Sequence, residues 1–450
     1  MHLYFIAIGG SAMHNLAIAL HKKGHRISGS DDEIFEPSRS RLAQYGLLPP
    51  ALGWDPSRIT RHLDAIILGM HAKSDNPELL KAKELGLKIY SYPEFLYEQS
   101  KDKKRAVIGG SHGKTTITAM ILHVLKHAGI DCDYMVGAQL EGFEVMVRLT
   151  PEAPVMIFEG DEYLTSPIDR RPKFHLYKPD IALLSGIAWD HINVFPTFEN
   201  YLEQFRIFIR QITPGGALIF CNEDRELRAI AENSRDDIAI IPYSVPEHTV
   251  SQGITILKTN SGDYPLKIFG KHNLLNLNGA RLVCRELGVS DSVFYEAIAT
   301  FKGASKRLEL VLEHKGRMVY KDFAHAPSKV KATLEAVKEQ YPHKHVVACL
   351  ELHTFSSLSE AFLSHYKGTL DAADTAIVYF SLHALQLKRL PPITAAQVRE
   401  GFANPNLEVF TDSRALFDRL QNEQRPDVVF LMMSSGNYDG IDVRDICVVG

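Results

Sequence analysis

The sequence predicts an α/β protein of two or three domains, each built on a parallel sheet covered by helices. Three observations carry this. Short apolar runs recur along the whole chain and alternate with stretches of helical period. Many of these runs end beside glycine, hydroxyl or charged residues, as strands do at the ligand-bearing edge of an open parallel sheet. The length, 450 residues, is enough for more than one hydrophobic core.

The first apolar run covers residues 3–8, followed by Gly9-Gly10-Ser11 and a helical pattern over 12–22. Residues 26–31 form the next predicted strand, with Asp31 at its carboxyl end, and residues 64–69 and 88–91 add two more. The turn Gly9-Gly10-Ser11-Ala12-Met13-His14 is not G-x-G-x-x-G, so a nicotinamide dinucleotide fits poorly. A nucleotide diphosphate and an ordinary tight turn both fit it. Lys101-Asp-Lys-Lys-Arg105 reads as a linker or a solvated loop.

Next come Ala106-Val107-Ile108, then Gly109-Gly110-Ser111-His112-Gly113-Lys114-Thr115-Thr116, then a helical segment over 117–127. A strand, a glycine loop, Lys-Thr and a helix are how a chain holds a nucleoside triphosphate. Glycines let backbone N–H groups turn toward phosphate oxygens, and the helix N-terminus adds favourable partial charge. Lys114 would reach the β/γ-phosphates and the Thr115 hydroxyl would sit on Mg²⁺. Ile108 occupies the position where the strict eight-residue pattern has glycine.

Residues 155–159 form an apolar strand ending in Glu159-Gly160-Asp161-Glu162. Residues 181–186 form another, ending near Trp189-Asp190-His191. Mg²⁺ takes hard ligands, and Glu159 and His191 follow strands of one sheet downstream of the phosphate loop. Runs at 217–221 and 238–241 continue the alternation. Gly270-Lys-His272-Asn273-Leu-Leu-Asn276 opens a helix through 283–287, and Lys306-Arg307 lies in an aperiodic stretch that suggests a hinge. A third α/β unit has strands at 317–322, 345–350, 375–380 and 427–432. They end beside Asp322-Phe-Ala-His325, Glu351-Leu-His353 and Ser434-Ser-Gly436-Asn437.

Composition narrows the function. A net charge of −4 leaves no basic surplus for nucleic acid or an anionic membrane. The N-terminal apolar stretch is too interrupted for a signal peptide or a membrane span. Cys132, Cys221, Cys284, Cys349 and Cys447 are scattered, with no C-x-x-C pair. That argues for a reducing compartment and against a zinc cage or a disulfide framework. A cytoplasmic protein is expected.

Taken in order, Gly110-Ser-His-Gly-Lys-Thr115, Glu159-Gly-Asp-Glu162, Asp190-His191, His272-Asn273 through Asn276, Lys306-Arg307 and Asp322-Phe-Ala-His325 resemble the Mur ligases over essentially the whole chain. These ATP-dependent ligases assemble the peptide of the bacterial cell wall, and the missing first loop glycine is usual among them. The resemblance implies three domains. A Rossmann-like UDP-sugar domain would cover 1–103 and a P-loop ATPase 104–311. A Rossmann-like domain for the incoming amine would cover 312–450. It implies phosphate and metal contacts from Gly110, Ser111, His112, Gly113, Lys114, Thr115 and Thr116, and Mg²⁺ ligands in Thr115, Glu159 and His191. Asn273 and Asn276 resemble the adenine contacts, Arg307 the hinge arginine near the phosphates, and Asp322 and His325 nucleotide contacts from the third domain. Gly9, Gly10, Ser11, Asp31, His71 and Ala72, with Asp75-Asn-Pro-Glu78 beyond, match the UDP-binding turns.

Several Mur ligases carry a modified lysine some fifteen residues beyond the metal histidine, where this chain has Phe205-Arg206. That departure favours members acting on UDP-N-acetylmuramate itself. The stretch 163–178, with Ile168-Asp-Arg-Arg-Pro-Lys-Phe174, and Glu351 both resemble the member that attaches a recovered tripeptide, L-alanyl-γ-D-glutamyl-meso-diaminopimelate. Arg170, Arg171, Glu351 and His353 are the implied peptide contacts. Leu352-His353-Thr354-Phe355 departs from that member's Pro-Arg-Ser-Asn, and the L-alanine-adding member is the near alternative. An alternative of another class is a non-catalytic P-loop switch. A monomer or weak homodimer is expected.

Overall fold

The computed structural model describes residues 1–137, 145–189, 194–304, 307–423 and 425–447. The chain forms two compact units. One holds residues 1–245 and 275–298, the other 246–274 and 299–450.

The first unit contains two parallel sheets. The smaller has strands β1 (His2–Ile6), β2 (Arg26–Ser30), β3 (Ala65–Leu68) and β4 (Ile89–Ser91) in the order β2-β1-β3-β4. The chain leaves β1 to one side for β2 and returns on the other for β3, so the turn after β1 lies at the switch point where such sheets bind ligands. The larger has β5 (Lys104–Gly109), β6 (Cys132–Met135), β7 (Val147–Arg148), β8 (Val155–Glu159), β9 (Ile181–Leu184), β10 (Ala217–Cys221) and β11 (Ala239–Tyr243). Their order is β11-β10-β9-β5-β8-β6-β7, parallel except for β7. Strands β5 and β8–β10 are buried along almost their whole length, which is why they read as unbroken apolar runs.

The second unit opens with β12 (His248–Ser251), β13 (Ile254–Thr259) and β14 (Gly262–Leu266), an antiparallel sheet. It then builds a six-stranded sheet from β15 (Glu309–His314), β16 (Arg317–Asp322), β17 (His345–Leu352), β18 (Thr375–Phe380), β19 (Glu408–Phe410) and β20 (Val428–Met433). The order is β15-β16-β20-β17-β18-β19, with only β15 antiparallel. Alternate side chains feed two cores. Val346, Ala348, Leu350 and Leu352 enter one with Val429, Leu431 and Met433, while Val347 and Cys349 enter the other with Phe430 and Met432.

Two findings differ from the sequence reading. The run Lys101–Arg105 is only partly solvated: Lys101, Asp102 and Lys104 are exposed, but Lys103 and Arg105 keep only 9% and 7% of their side-chain surface. Lys103 Nζ donates to Asp133 Oδ2 at 2.6 Å and to the Thr150 and Ala153 carbonyls. Arg105 pairs with Asp180 and donates to the Ser100, Lys101, Lys103 and Lys178 carbonyls. Buried cations persist because carboxylates and carbonyls satisfy them. Residues 246–274, in which no strand was read, form a sheet that sorts with the C-terminal unit. There Gln340 bonds Thr255 Oγ1 and the Gly253 carbonyl.

Candidate active site

The loop after β5 turns into the helix Lys114–His127 through Gly110 (φ +117°) and Gly113 (φ +82°), backbone that only glycine adopts without strain. Both positions are also crowded. A Cβ at Gly110 would collide with Ser185 Oγ, and one at Gly113 with the Asn276 amide. Asn276 is thus packed against the phosphate loop. Ser111 Oγ donates to the Gly186 carbonyl at 3.2 Å and accepts from the Ala188 N–H at 2.8 Å. Thr116 is buried behind them.

Lys114 Nζ lies 2.6 Å from the Gly110 carbonyl and 2.7 Å from Glu162 Oε2. Burial works against its charge, but the Glu162, Asp161 and Glu159 carboxylates outweigh burial and hold its pKa above the ordinary value. Glu162 is almost wholly buried, and Tyr201 OH donates to its other oxygen at 3.3 Å. Asp161 pairs with Lys173 at 2.5 Å. Burial would raise the Asp161 pKa, yet Lys173, the Tyr163 N–H and Lys114 lower it.

Thr115 Oγ1 donates to Glu159 Oε1 at 2.8 Å, and Glu159 Oε2 accepts the Gly137 N–H at 2.8 Å. These are hard oxygens at the foot of the helix that the phosphate loop opens, the donor chemistry Mg²⁺ takes while keeping several waters. His191 lies outside the described residues, as do Asp190 and Lys306. Among the described residues no group of three or more acidic, histidine or cysteine side chains has metal-site geometry.

In the smaller sheet, Gly9 N–H donates to Asp31 Oδ2 at 2.7 Å, so the turn after β1 is closed by the carboxylate at the end of β2. Burial, partly opposed by the Gly9 N–H, pushes the Asp31 pKa up to about 6. His71 stands beside Gly10, Ser11 opens the helix Ser11–Lys22, and Ala72 is buried. Glu78 is fully buried and accepts from Tyr4 OH at 3.1 Å, the Asp55 N–H at 2.9 Å and Ser30 Oγ, which ties β1 and β2 together behind Asp31.

The second unit gathers another set. Asp322, at the end of β16, accepts the Leu308 N–H at 2.7 Å and the Ala324 N–H at 2.6 Å. Burial raises its pKa against those bonds and the Arg307 charge. Arg307 lies over the Phe323 ring at 5.0 Å, and His325 Nδ1 bonds the Phe323 carbonyl at 2.8 Å. Asn273 donates to the Phe269 carbonyl at 2.9 Å. At the end of β17, buried Glu351 accepts from Ser434 Oγ and the Tyr438 N–H, with His353 Nδ1 at 3.7 Å. Gly436 packs so closely that a Cβ there would come within 2.8 Å of the His353 ring.

Arg170 and Arg171 are exposed, and Arg171 forks onto Asp169, with Nη2 at 2.6 Å from Oδ2. Sequence reasoning gave no role to Tyr201, Gly137 or Asn15. Their partners lie far away in the chain, and only the unusual buried asparagine within a helix offered a local signal.

Three family models match the chain: "Mur ligase family, catalytic domain" over residues 2–104, "Mur ligase middle domain" over 108–284 and "Mur ligase, glutamate ligase domain" over 306–436. The UDP-N-acetylmuramate–L-alanine ligase of Caldicellulosiruptor bescii is 32% identical over 88% of this chain and 87% of its own. The UDP-N-acetylmuramate:L-alanyl-γ-D-glutamyl-meso-diaminopimelate ligase from Neisseria meningitides is 25% identical, with a TM-score of 0.61 over 67% of this chain and 98% of its own. The UDP-N-acetylmuramate–alanine ligase of Thermotoga maritima, 19% identical, shares the fold at a TM-score of 0.69 over 98% of this chain and 96% of its own. With three α/β domains, a phosphate loop heading its helix and matches spanning nearly its full length, the chain belongs to the Mur ligase family and is an ATP-dependent ligase that forms amide bonds.

Proposed function

We propose that this ligase joins UDP-N-acetylmuramate to L-alanyl-γ-D-glutamyl-meso-diaminopimelate, in the recycling of cell-wall peptide in the cytoplasm. Residues 1–103 would bind the UDP-sugar through Gly9, Gly10, Ser11, Asp31, His71 and Ala72. Residues 104–311 would bind ATP, and residues 312–450 the amine. In this reading an oxygen of the muramyl carboxylate attacks the γ-phosphorus. The bond from that phosphorus to the β-phosphate oxygen breaks, leaving an acyl phosphate and ADP. Lys114 exchanges Glu162 for the β/γ-phosphates and offsets the charge on the transferring group. Thr115 and Glu159, with His191, would hold Mg²⁺, whose charge neutralises phosphate oxygens. Asn273 and Asn276 hold the base, and Arg307, Asp322 and His325 complete the nucleotide contacts. The amine, once deprotonated, attacks the acyl carbon, and the tetrahedral adduct expels phosphate and leaves the amide. Most of the rate enhancement is then positioning and charge stabilisation.

The choice of a peptide as the amine rests on one observation. The loop carrying Asp169, Arg170 and Arg171 presents two exposed arginines, with Arg171 held by Asp169. A tripeptide brings carboxylates that planar guanidinium forks suit, and free alanine brings only one. Glu351 and His353, at the end of β17, are suited to receive the incoming ammonium group. The second reading, L-alanine as the amine, is favoured by the name of the Caldicellulosiruptor bescii relative. Phosphate release with ATP, UDP-N-acetylmuramate and either amine separates the two. Turnover with the tripeptide and none with alanine is the expected result. Alanine ligated as fast as the tripeptide would replace this reading with the second.

A further inference from the structure

Asn15 lies in the second turn of the helix Ser11–Lys22 and is fully buried, a costly place for an amide unless every polar atom is matched. Both of its ends are matched. Nδ2 donates to the Ser11 carbonyl at 2.8 Å, on the turn of the smaller sheet, and lies 3.5 Å from Met146 Sδ. Oδ1 accepts the Met146 N–H at 3.0 Å, on the chain entering β7 of the larger sheet.

The bonds continue from there. The Met146 carbonyl accepts the Val136 N–H at 3.0 Å, fixing the end of β6. The next residue, Gly137, gives its N–H to Glu159 Oε2, and Glu159 Oε1 takes the Thr115 hydroxyl, both at 2.8 Å. A single side chain therefore closes an unbroken hydrogen-bonded path from the Gly10–Ser11 turn to the Thr115–Glu159 pair. Leucine has the same branched shape and a higher helix propensity, but it would leave the Met146 N–H without its acceptor. An amide is needed to grip a carbonyl on one side and an N–H on the other.

We propose that Asn15 is a positioning residue that couples occupancy of the Gly10–Ser11 turn by the UDP-sugar to the alignment of Glu159 and Thr115 for the metal-bound nucleotide. The proposal rests on the assignment of those two sites made above. Its content is energetic: each ligand favours the arrangement in which the strap from Ser11 to Glu159 is taut. By linkage each then tightens the other by the same factor.

The test is binding without chemistry. Calorimetry measures a non-hydrolysable ATP analogue with Mg²⁺ on the full chain, with and without saturating UDP-N-acetylmuramate and with no amine. The wild-type protein is expected to bind the analogue about 5- to 100-fold more tightly when the UDP-sugar is present. In Asn15→Leu that factor is expected to fall below about twofold, with each ligand alone binding within about threefold of wild type. Should Asn15→Leu fail to fold, Asn15→Ala carries the same measurement. Gly137→Ala, whose Cβ would stand 2.9 Å from Glu159 Oε1, cuts the path at its other end and should lose the factor too. A purely structural Asn15 would lower the melting temperature and leave the factor intact, and that result overturns the proposal. So does a wild-type factor of one. Failure of the wild-type protein to bind the UDP-sugar at all would instead overturn the assignment of the turn, and the proposal with it.

Discussion

Replacing Lys114 with methionine should separate what the ammonium does for folding from what it does for ATP. In the structure it lies 2.7 Å from Glu162 Oε2 and keeps 17% of its side-chain surface, while Glu162 keeps 1%. Lys114→Met removes the ammonium that faces the almost wholly buried Glu162 carboxylate. Removing one partner of a buried pair costs about 3–5 kcal/mol, and the partial exposure of Lys114 points to the lower figure. At about 2–4 °C per kcal/mol, the first thermal transition should fall by about 6–12 °C. Adding Glu162→Gln removes the buried charge and should restore most of that loss, since a neutral pair in the same space is often as stable as the ion pair. Neither variant should ligate. Without a cation on the β/γ-phosphates, turnover should drop by about 100-fold or more. Differential scanning fluorimetry and coupled ADP release read the two effects. A double variant melting no higher than Lys114→Met would refute the buried-pair argument, and near-normal turnover in folded Lys114→Met would refute the phosphate-loop assignment.

Thr115→Val and Glu159→Gln should each raise the Mg²⁺ concentration giving half-maximal activity while leaving UDP-sugar affinity unchanged; an unmoved Mg²⁺ titration removes both from the metal site. Arg171→Ala should raise the KM for tripeptide by about 10- to 150-fold, from loss of charge-assisted bonds of about 1.5–3 kcal/mol, with ATP and UDP-sugar constants held. No change would mean that Arg171 serves only Asp169. Burial pushes the His175 pKa down from 6.5 to about 4, partly opposed by the Gln204 carbonyl, so the unfolded chain takes up a proton before the folded one does. Stability should therefore be lost as pH falls from about 6.5 toward 4. His175→Gln should melt with a shallower dependence across that window, and an identical slope would refute the assignment.

Much of the fold was legible because its central strands are buried on both faces. Residues 217–221, 317–322 and 375–380 were expected as strands and are strands with the same limits. The antiparallel sheet β12–β14 was missed for the complementary reason. His248-Thr-Val-Ser and Gly262-Asp-Tyr-Pro-Leu alternate polar and apolar residues beside open solvent and never make an apolar run. Strand β15, a sheet-edge strand with the three-residue apolar run Leu310-Val311-Leu312, was also not read as a strand. Within the basic run Lys101–Arg105, Lys103 and Arg105 escaped the solvated-loop reading because charge signals solvent locally, whereas Asp133 and Asp180, which make their burial tolerable, lie far along the chain.

The candidate site divides along the same line. Phosphate loop, lysine and threonine are contiguous, so their geometry follows from local sequence, while the pairing of Lys114 with Glu162 spans 48 residues and had no local mark. That pairing also explains the carboxylates after β8. Among the described residues Lys114 pairs with Glu162 and Lys173 with Asp161, while Glu159 accepts the Thr115 hydroxyl and the Gly137 N–H. A polyanionic triphosphate arriving alone would meet an excess of negative charge in a partly buried place, where repulsion is poorly screened. Arriving with a divalent cation, it would place positive charge on the Thr115–Glu159 oxygens and free Lys114 from its shared field for the phosphates. On the proposed reading these carboxylates would favour the metal-bound nucleotide, and the Thr115–Glu159 pair, held by the Gly137 N–H, is where that preference would act.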